Sequence, residues 1–386
     1  MGRNSRRSLS QQLLRWGVQA IVIFLVGYIA LYFGLNLAIN LRRLNLPFGF
    51  DFLNNQAGFS IGETPVPYKP TDIYAQALWI GLLNSFRVMG VGLVLTTIVG
   101  ITVGIARLSE NWLVRKMALV YVEVLRNTPL LLQLLFWYFA VFLNLPKFAD
   151  RMEWSAISLS NQGILLPWVQ ANTATGLWGL CLGLGIISAI PLWKRQARQH
   201  VEQGQPDQLK TWPLLAIALP LIIATLWTQQ PPFLLSLPEV VNGRAIGGLQ
   251  LSSEFATLLV GLTLYTAAFI AEIVRAGITS VNKGQREAAQ ALGLKSGVTM
   301  RLVVFPQALR VIVPPLTSQY LNLAKNSSLA IAIGYPDLYA VASTTFNQTG
   351  RAVEVLLLLM ATYLTISLVI SLLLNLYNRS IQLVER

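Results

Sequence analysis

Four stretches of this chain run for about the 18–20 residues that cross a hydrocarbon layer without a charged side chain. They are Gly17–Leu41, Val88–Ala106, Thr128–Leu145 and Val355–Leu374, the third continuing a helix that begins near Met117. Four less regular candidates join them: Gly176–Trp193, Pro213–Trp227, Phe255–Val274 and the Pro-interrupted Val311–Ile333. Only 12% of residues are charged, against about 25% in soluble domains. The expectation is an all-α polytopic membrane protein with about eight transmembrane helices.

The net charge of +13 invites a nucleic-acid reading, but its placement argues for a membrane. With the basic tail Arg3, Arg6, Arg7 and Arg15 on the cytoplasmic side and sides alternating, cytoplasmic segments hold 17 of the 29 Lys and Arg and external ones 7. Arg87, Arg126, Arg275, Arg310 and Lys325 fall within or near spans. That asymmetry obeys the positive-inside rule. Both termini come out cytoplasmic, in the inner (plasma) membrane, with no nucleic-acid partner expected.

Cys181 is the only cysteine and falls in a span; His200, the only histidine, lies in the polar loop Lys194–Lys210. A disulfide, a cysteine-rich or His-based metal site and a His-containing triad are therefore not expected. The first apolar run is long for a signal peptide and has no A-x-A site, so it reads as an uncleaved span.

The chain divides at about residue 76. Residues 1–76 hold the basic tail, the first span and an external segment, Arg42–Gln76, whose Pro47, Pro65, Pro67 and Pro70 discourage regular structure. Its Phe48, Phe50, Phe52 and Phe59 suit a lipid interface. Residues 77–386 form the main domain, with a two-helix insertion at about 146–250 and a cytoplasmic loop at about 279–306. No repeat of 20–50 residues stands out.

That loop is the most telling segment. Gly284 and Gln285 open a short helix on which Ala288, Ala291 and Leu292 share a face, and Gly293 suits a left-handed C-terminal cap. The alanines make this face slim enough to enter a partner's groove, and Glu287 is placed near the helix N-terminus, where the dipole favours negative charge.

Glu287-Ala288-Ala289, three residues, Gly293, nine residues and Val303-x-Phe305-Pro306 resemble the EAA loop of permease subunits of ATP-binding-cassette importers. Val303 and Phe305 replace the usual Ile and Leu, both apolar. Tyr121–Gln133, Ala271–Ile278, Gly284–Gly293 and Leu323–Ala330 resemble the polar amino acid branch. Phe48–Glu63 and Ala106–Lys116 are similar to the larger general L-amino acid subunits. The resemblance implies a type I importer permease core, a cytoplasmic ATPase docking on Glu287, Ala288, Ala289, Ala291, Leu292 and Gly293, an external substrate-binding protein and a second related permease. ATP would be bound by the partner, since the chain has no G-x-x-x-x-G-K-[ST] loop.

Glu123 with Arg126, and Glu272 with Arg275, are spaced to pair on one helix face. Asn127-Thr128-Pro129 should kink the third span, and Pro306, Pro314 and Pro315 the seventh. Arg126, Asn127, Thr128, Lys325, Asn326 and Ser327 are candidates for a translocation path, Lys325 as a cation for a substrate carboxylate; structural pairing competes. Gly100 and Gly104 form a close-packing face.

The reading is a permease subunit of an ATP-driven importer of polar L-amino acids, with no cofactor and no catalytic or metal-binding residue of its own. An ion-gradient-driven secondary transporter is the alternative, opposed by the coupling-type loop and the lack of an inverted repeat. An intramembrane enzyme has no histidine in any span to serve it.

Overall fold

The computed structural model describes residues 9–43, 48–203, 212–231, 233–241 and 244–381. The basic tail residues Arg3, Arg6 and Arg7, together with Lys210, lie outside the described residues, as do the side chains of Arg15 and His200.

The expected helices form, with different limits. Helix α1 (Leu9–Arg43) is followed by an irregular external strap, then by α2 (Tyr74–Ala106). α2 starts fourteen residues before the expected Val88, because only its apolar part was visible as a span. α3 (Trp112–Asn127) and α4 (Leu130–Leu135) come next, α4 running on through a π-helical stretch at Phe136–Val141. After the insertion come α7 (Ser253–Thr279), α8 (Lys283–Ala291), α9 (Ser296–Thr299), α10 (Phe305–Asn326), α11 (Leu338–Thr349) and α12 (Ala352–Ile381). Among the described residues, six helical stretches are long and apolar enough to cross a membrane, or seven with the bent pair counted as one span.

The third expected span is not one helix. α3 and α4 meet at 108°, because Pro129 has no N–H to donate and turns the chain extended (φ −60°, ψ 134°). The break frees carbonyls that hydrocarbon would leave unsatisfied, and side chains take them. Asn127 Nδ2 donates to Glu123 O at 2.8 Å, Thr128 Oγ1 to Val124 O at 2.9 Å and Gln133 Nε2 to Leu125 O at 2.9 Å.

The centre of the core is the pair α2 and α7. Thr96 Oγ1 donates to Thr263 O at 3.3 Å, and a Cβ on Gly100 or Gly104 would lie within 3 Å of Ile270 or of Ala271 O and Val274. Contacts therefore advance together along both helices, so α2 and α7 run parallel. Parallel neighbours need an odd number of crossings between them. The broken α3–α4 segment supplies one, so α5 (Thr175–Gln203) and the shorter α6 (Trp212–Thr228) cross together or not at all. α5 also carries helix into the expected loop Lys194–Lys210, as far as Gln203.

Short strands form between α4 and α7, on either side of the α5–α6 pair, where the sequence reading had only loops. β1 (Met152–Trp154), β2 (Ile157–Ser160) and β3 (Gly163–Leu166) precede α5, and β8 (Leu249–Ser252) completes their antiparallel sheet in the order β1-β2-β3-β8. β4 (Trp168–Ala171) pairs with β5 (Phe233–Ser236), and β6 (Glu239–Val241) with β7 (Arg244–Ile246). The β4–β5 ribbon joins the chain entering α5 to the chain leaving α6, so the α5–α6 pair stands on a two-stranded stalk.

The strap covers the N-terminal end of α2. Its Phe52 and Ala57 are buried with Tyr74 and Ala77 of α2, Leu338 and Val341 of α11 and Val355 of α12.

Candidate coupling site

α8 is short and polar, and local bonds rather than burial set its limits. Asn282 caps it, its side chain accepting from Gly284 N at 2.9 Å. At the other end Gly293 is left-handed (φ +73°). Leu294 N donates to Ala289 O at 3.1 Å and Gly293 N to Gln290 O at 2.9 Å, the two bonds of a Schellman motif. Glycine is needed there because an L side chain resists that backbone conformation. The helix begins at Lys283, which puts Glu287 on its fifth residue and not in its first turn. Glu287 therefore lies outside the reach of the helix dipole that the sequence suggested, since that effect falls off within one turn.

The faces separate cleanly. Ala289 is buried, at 3% exposure, and holds α8 to the body. Glu287, Ala288 and Ala291 are exposed, and Leu292 is 81% exposed. Small alanines with a projecting leucine make an apolar ridge in an aqueous loop. Glu287 makes no ion pair among the described residues.

The ridge is fixed to the transmembrane bundle. Arg286 Nη2 donates to Ile278 O at 3.0 Å, taking an orphan carbonyl at the C-terminal end of α7. Gln307 Nε2 of α10 donates to Gln285 Oε1 at 3.3 Å. Val281 and Val304 lie in one buried cluster with Ile270, Val274, Ile278, Ala308 and Ile312. α8 therefore moves with both α7 and α10. Sequence reading passed over Arg286 and Asn282, although Asn282 four residues after an apolar run is a cap signal.

The intramembrane ions arrange themselves unevenly. Arg275 Nε donates to Glu272 Oε1 at 3.1 Å, as expected, and Arg107 at the end of α2 joins the same carboxylate. Glu123 and Arg126 do not pair. Glu123 accepts from Asn127 Nδ2 at 3.2 Å, while the Arg126 guanidinium lies 5.2 Å from the centre of the Phe269 ring. The 108° bend carries α3 across α7, which puts that aromatic face in the reach of Arg126. Arg126, Asn127 and Thr128 are exposed at the α3–α4 break, and Lys325 is exposed at the end of α10. Ser327 is buried, its hydroxyl donating to Ala324 O at 2.8 Å, and Asn326 is half-buried. The two groups come from separate elements, and no hydrogen bond or ion pair among the described residues joins them.

Comparison with known proteins bears on this architecture directly. The family described as binding-protein-dependent transport system inner membrane component matches residues 181–383, just over half the chain. The putative amino-acid ABC transporter permease protein YhdX of Escherichia coli is 44% identical over 372 residues, covering 95% of this chain and 93% of the relative. The general L-amino acid transport system permease protein AapQ of Rhizobium johnstonii is 42% identical, covering 95% and 91%. The glutamate/glutamine/aspartate/asparagine transport system permease protein BztB of Rhodobacter capsulatus is also 42% identical, covering 96% and 93%. A crystal structure of an amino acid ABC transporter with histidines aligns with 80% of this chain and 95% of its own, at 21% identity and a TM-score of 0.48. The sequence matches run nearly end to end and leave no place for the ion-gradient or enzyme readings. The chain belongs to the inner membrane components of binding-protein-dependent transport systems: it is a transmembrane permease subunit of an ATP-driven importer, and not an enzyme.

Proposed function

We propose that this chain carries polar L-amino acids inward, together with a second related permease, a cytoplasmic ATPase and an external substrate-binding protein. The observation that carries the reading is the exposed ridge Ala288, Ala291 and Leu292, held to α7 by Arg286. A groove on the ATPase takes the ridge, with Glu287 meeting a cation at its edge and Ala289 and Gly293 holding the helix shape. ATP binding by the partner shifts α8, and α7 and α10 move with it. Access then passes from the external side to the cytoplasmic side, with both termini cytoplasmic in the inner membrane.

Arg126 and Lys325 are assigned to the path as exposed cations suited to a carboxylate. Asn127, Thr128, Asn326 and Ser327 shape the backbone that presents them. The permease core is residues 77–386, with 146–250 an insertion on its external strands. The substrate class is supported by the amino acids for which the relatives above are named.

The test is co-expression with the partner subunits, reconstitution in liposomes with ATP inside, and uptake of labelled L-amino acids in the presence of the binding protein. Uptake that needs ATP and is lost in Glu287→Lys, with the variant still inserted in the membrane, is the expected result. Normal ATP-driven uptake by Glu287→Lys overturns the docking role, and uptake of no polar amino acid overturns the substrate class.

A further inference from the structure

The external strap carries a carboxylate to a receptor that the coupling mechanism does not use. Its base is closed by the Gln56–Ile73 bridge, by Ala57 N donating to Asp72 O at 2.8 Å and by Gly58 N donating to Pro70 O at 2.9 Å. Between these closures the chain has no helix or strand, and Gly62 and Thr64 are exposed. Phe59, Ile61 and Tyr68 pack on the core below, and Glu63 is the half-buried charged residue among them.

Each oxygen of Glu63 meets a different donor. Arg87 Nη1 of α2 donates to Oε1 at 2.8 Å, and Ser252 Oγ donates to Oε2 at 2.7 Å. Ser252 Oγ also accepts from Phe255 N at 3.0 Å, so its lone pair is spent on capping α7 and its proton is directed at the carboxylate. The Arg87 guanidinium carbon lies 5.1 Å from the centre of the Phe255 ring, which fixes its plane. Fully buried Asn84 donates to Glu63 O at 2.8 Å and to Pro336 O at 2.9 Å, connecting the loop tip to the turn before α11. Two elements, α2 and β8, thus meet at the side chain of Glu63, and Asn84 of α2 holds its backbone carbonyl.

A guanidinium and a hydroxyl aimed at the two oxygens of one carboxylate make a receptor for any carboxylate of that size. The side chains of Arg87 and Glu63 keep 29% and 17% of their exposure, so water reaches the pair and exchange needs no deep desolvation. We propose that Arg87 and Ser252 form a carboxylate-binding site at the external mouth, filled by Glu63 while the strap is down and by the carboxylate of an incoming amino acid when the strap lifts. This rests on the reading of the chain as an amino acid permease, but the site itself is testable without transport.

The experiment uses the purified complex of this chain with its partner subunits. Glu63→Ala vacates the receptor, and thermal unfolding is followed as sodium acetate is titrated against sodium chloride at equal ionic strength. Acetate should raise the midpoint of Glu63→Ala with a saturating dose response, and L-alanine should do the same. It should leave the wild type and the double variant Glu63→Ala, Arg87→Gln unmoved. Equal responses in all three, or none in Glu63→Ala, overturn the site. Should Glu63→Ala not assemble, Glu63→Gln keeps the shape and holds Arg87 by a neutral acceptor only. The KM for uptake should then fall about fivefold, and an unchanged KM overturns the proposal. Acetate binding without any amino acid uptake by the wild type would sink the proposed substrate and leave the receptor standing. Uptake without acetate binding would do the reverse.

Discussion

Arg286 of α8 reaches back to Ile278, donating from Nη2 to its carbonyl oxygen at 3.0 Å. The bond joins α8 to the last turn of α7 across the turn at Thr279–Asn282, where the backbone alone would allow a hinge. Arg286→Gln shortens the side chain and removes the reach, while the exposed ridge is left in place. The ATPase should still bind, but the stroke should be lost in the hinge. Uptake per ATP hydrolysed should fall by about tenfold, the effect of one charged hydrogen bond. Parallel measurement of hydrolysis and uptake in liposomes checks this, and an unchanged ratio would show that Val281, Ala289 and the Gln285–Gln307 bond hold α8 without Arg286.

Leu292 presents 81% of its surface to water beside Ala288 and Ala291. A leucine side chain buried on docking contributes about 1.5–3 kcal/mol. Leu292→Ala should therefore weaken ATPase binding by roughly 10- to 100-fold, with insertion and folding of the permease unaffected. Titration of the isolated ATPase onto the nanodisc-embedded permease reads this directly. Wild-type affinity would move the docking surface away from α8.

The short helix α8 was legible in the sequence because its signals are local: an alanine-rich turn and a glycine that only a left-handed position requires. Membrane crossing was legible for the same reason, since uncharged length is a property of a single segment. What escaped depends on contacts between distant segments. The 108° turn at Pro129 was expected only as a kink, because the sequence does not reveal that Gln133 satisfies the carbonyl of Leu125. The strands are three or four residues long, and β3 with β8 and β4 with β5 pair across the α5–α6 helices, as Gly163 does with Ser252. Their alternation is too short to stand out. Glu63 and Arg87 lie 24 residues apart in segments of different character, and their pairing follows only from the fold of the strap.

Gly104 and Gly90 lie on the same helix and should respond oppositely to alanine. At Gly104 a Cβ would come within 2.8 Å of both Ala271 O and Val274 Cβ. Neither can yield without separating α2 from α7. Overpacking of this kind costs about 1–3 kcal/mol, more than the roughly 1 kcal/mol that alanine returns in helix propensity. Gly90 has nothing within 4 Å of its Cβ position, so only the gain applies. Gly104→Ala should lower the thermal midpoint and Gly90→Ala should raise it or leave it unchanged. A loss of the same size at both sites would mean that α2 is not packed on α7 through its glycine face.

Asp337 lies in the turn before α11, outside the candidate spans, and is fully buried. Its Oδ1 accepts from Ala340 N at 2.9 Å, capping α11. Burial pushes its carboxyl up to about 7, the cap bond opposing that shift without cancelling it. An unfolded aspartate titrates near 3.8, so between about pH 4 and pH 7 the folded protein binds more protons than the unfolded chain. Stability must then fall as pH rises through that window. Asp337→Asn has nothing to ionise and retains a cap oxygen for Ala340 N. The wild-type complex should lose thermal midpoint between pH 5 and pH 8, on the order of a few degrees, and the variant should lose less. Parallel pH profiles for the two proteins would show that Asp337 ionises freely in the folded state, and that the turn joining α10 to α11 admits water.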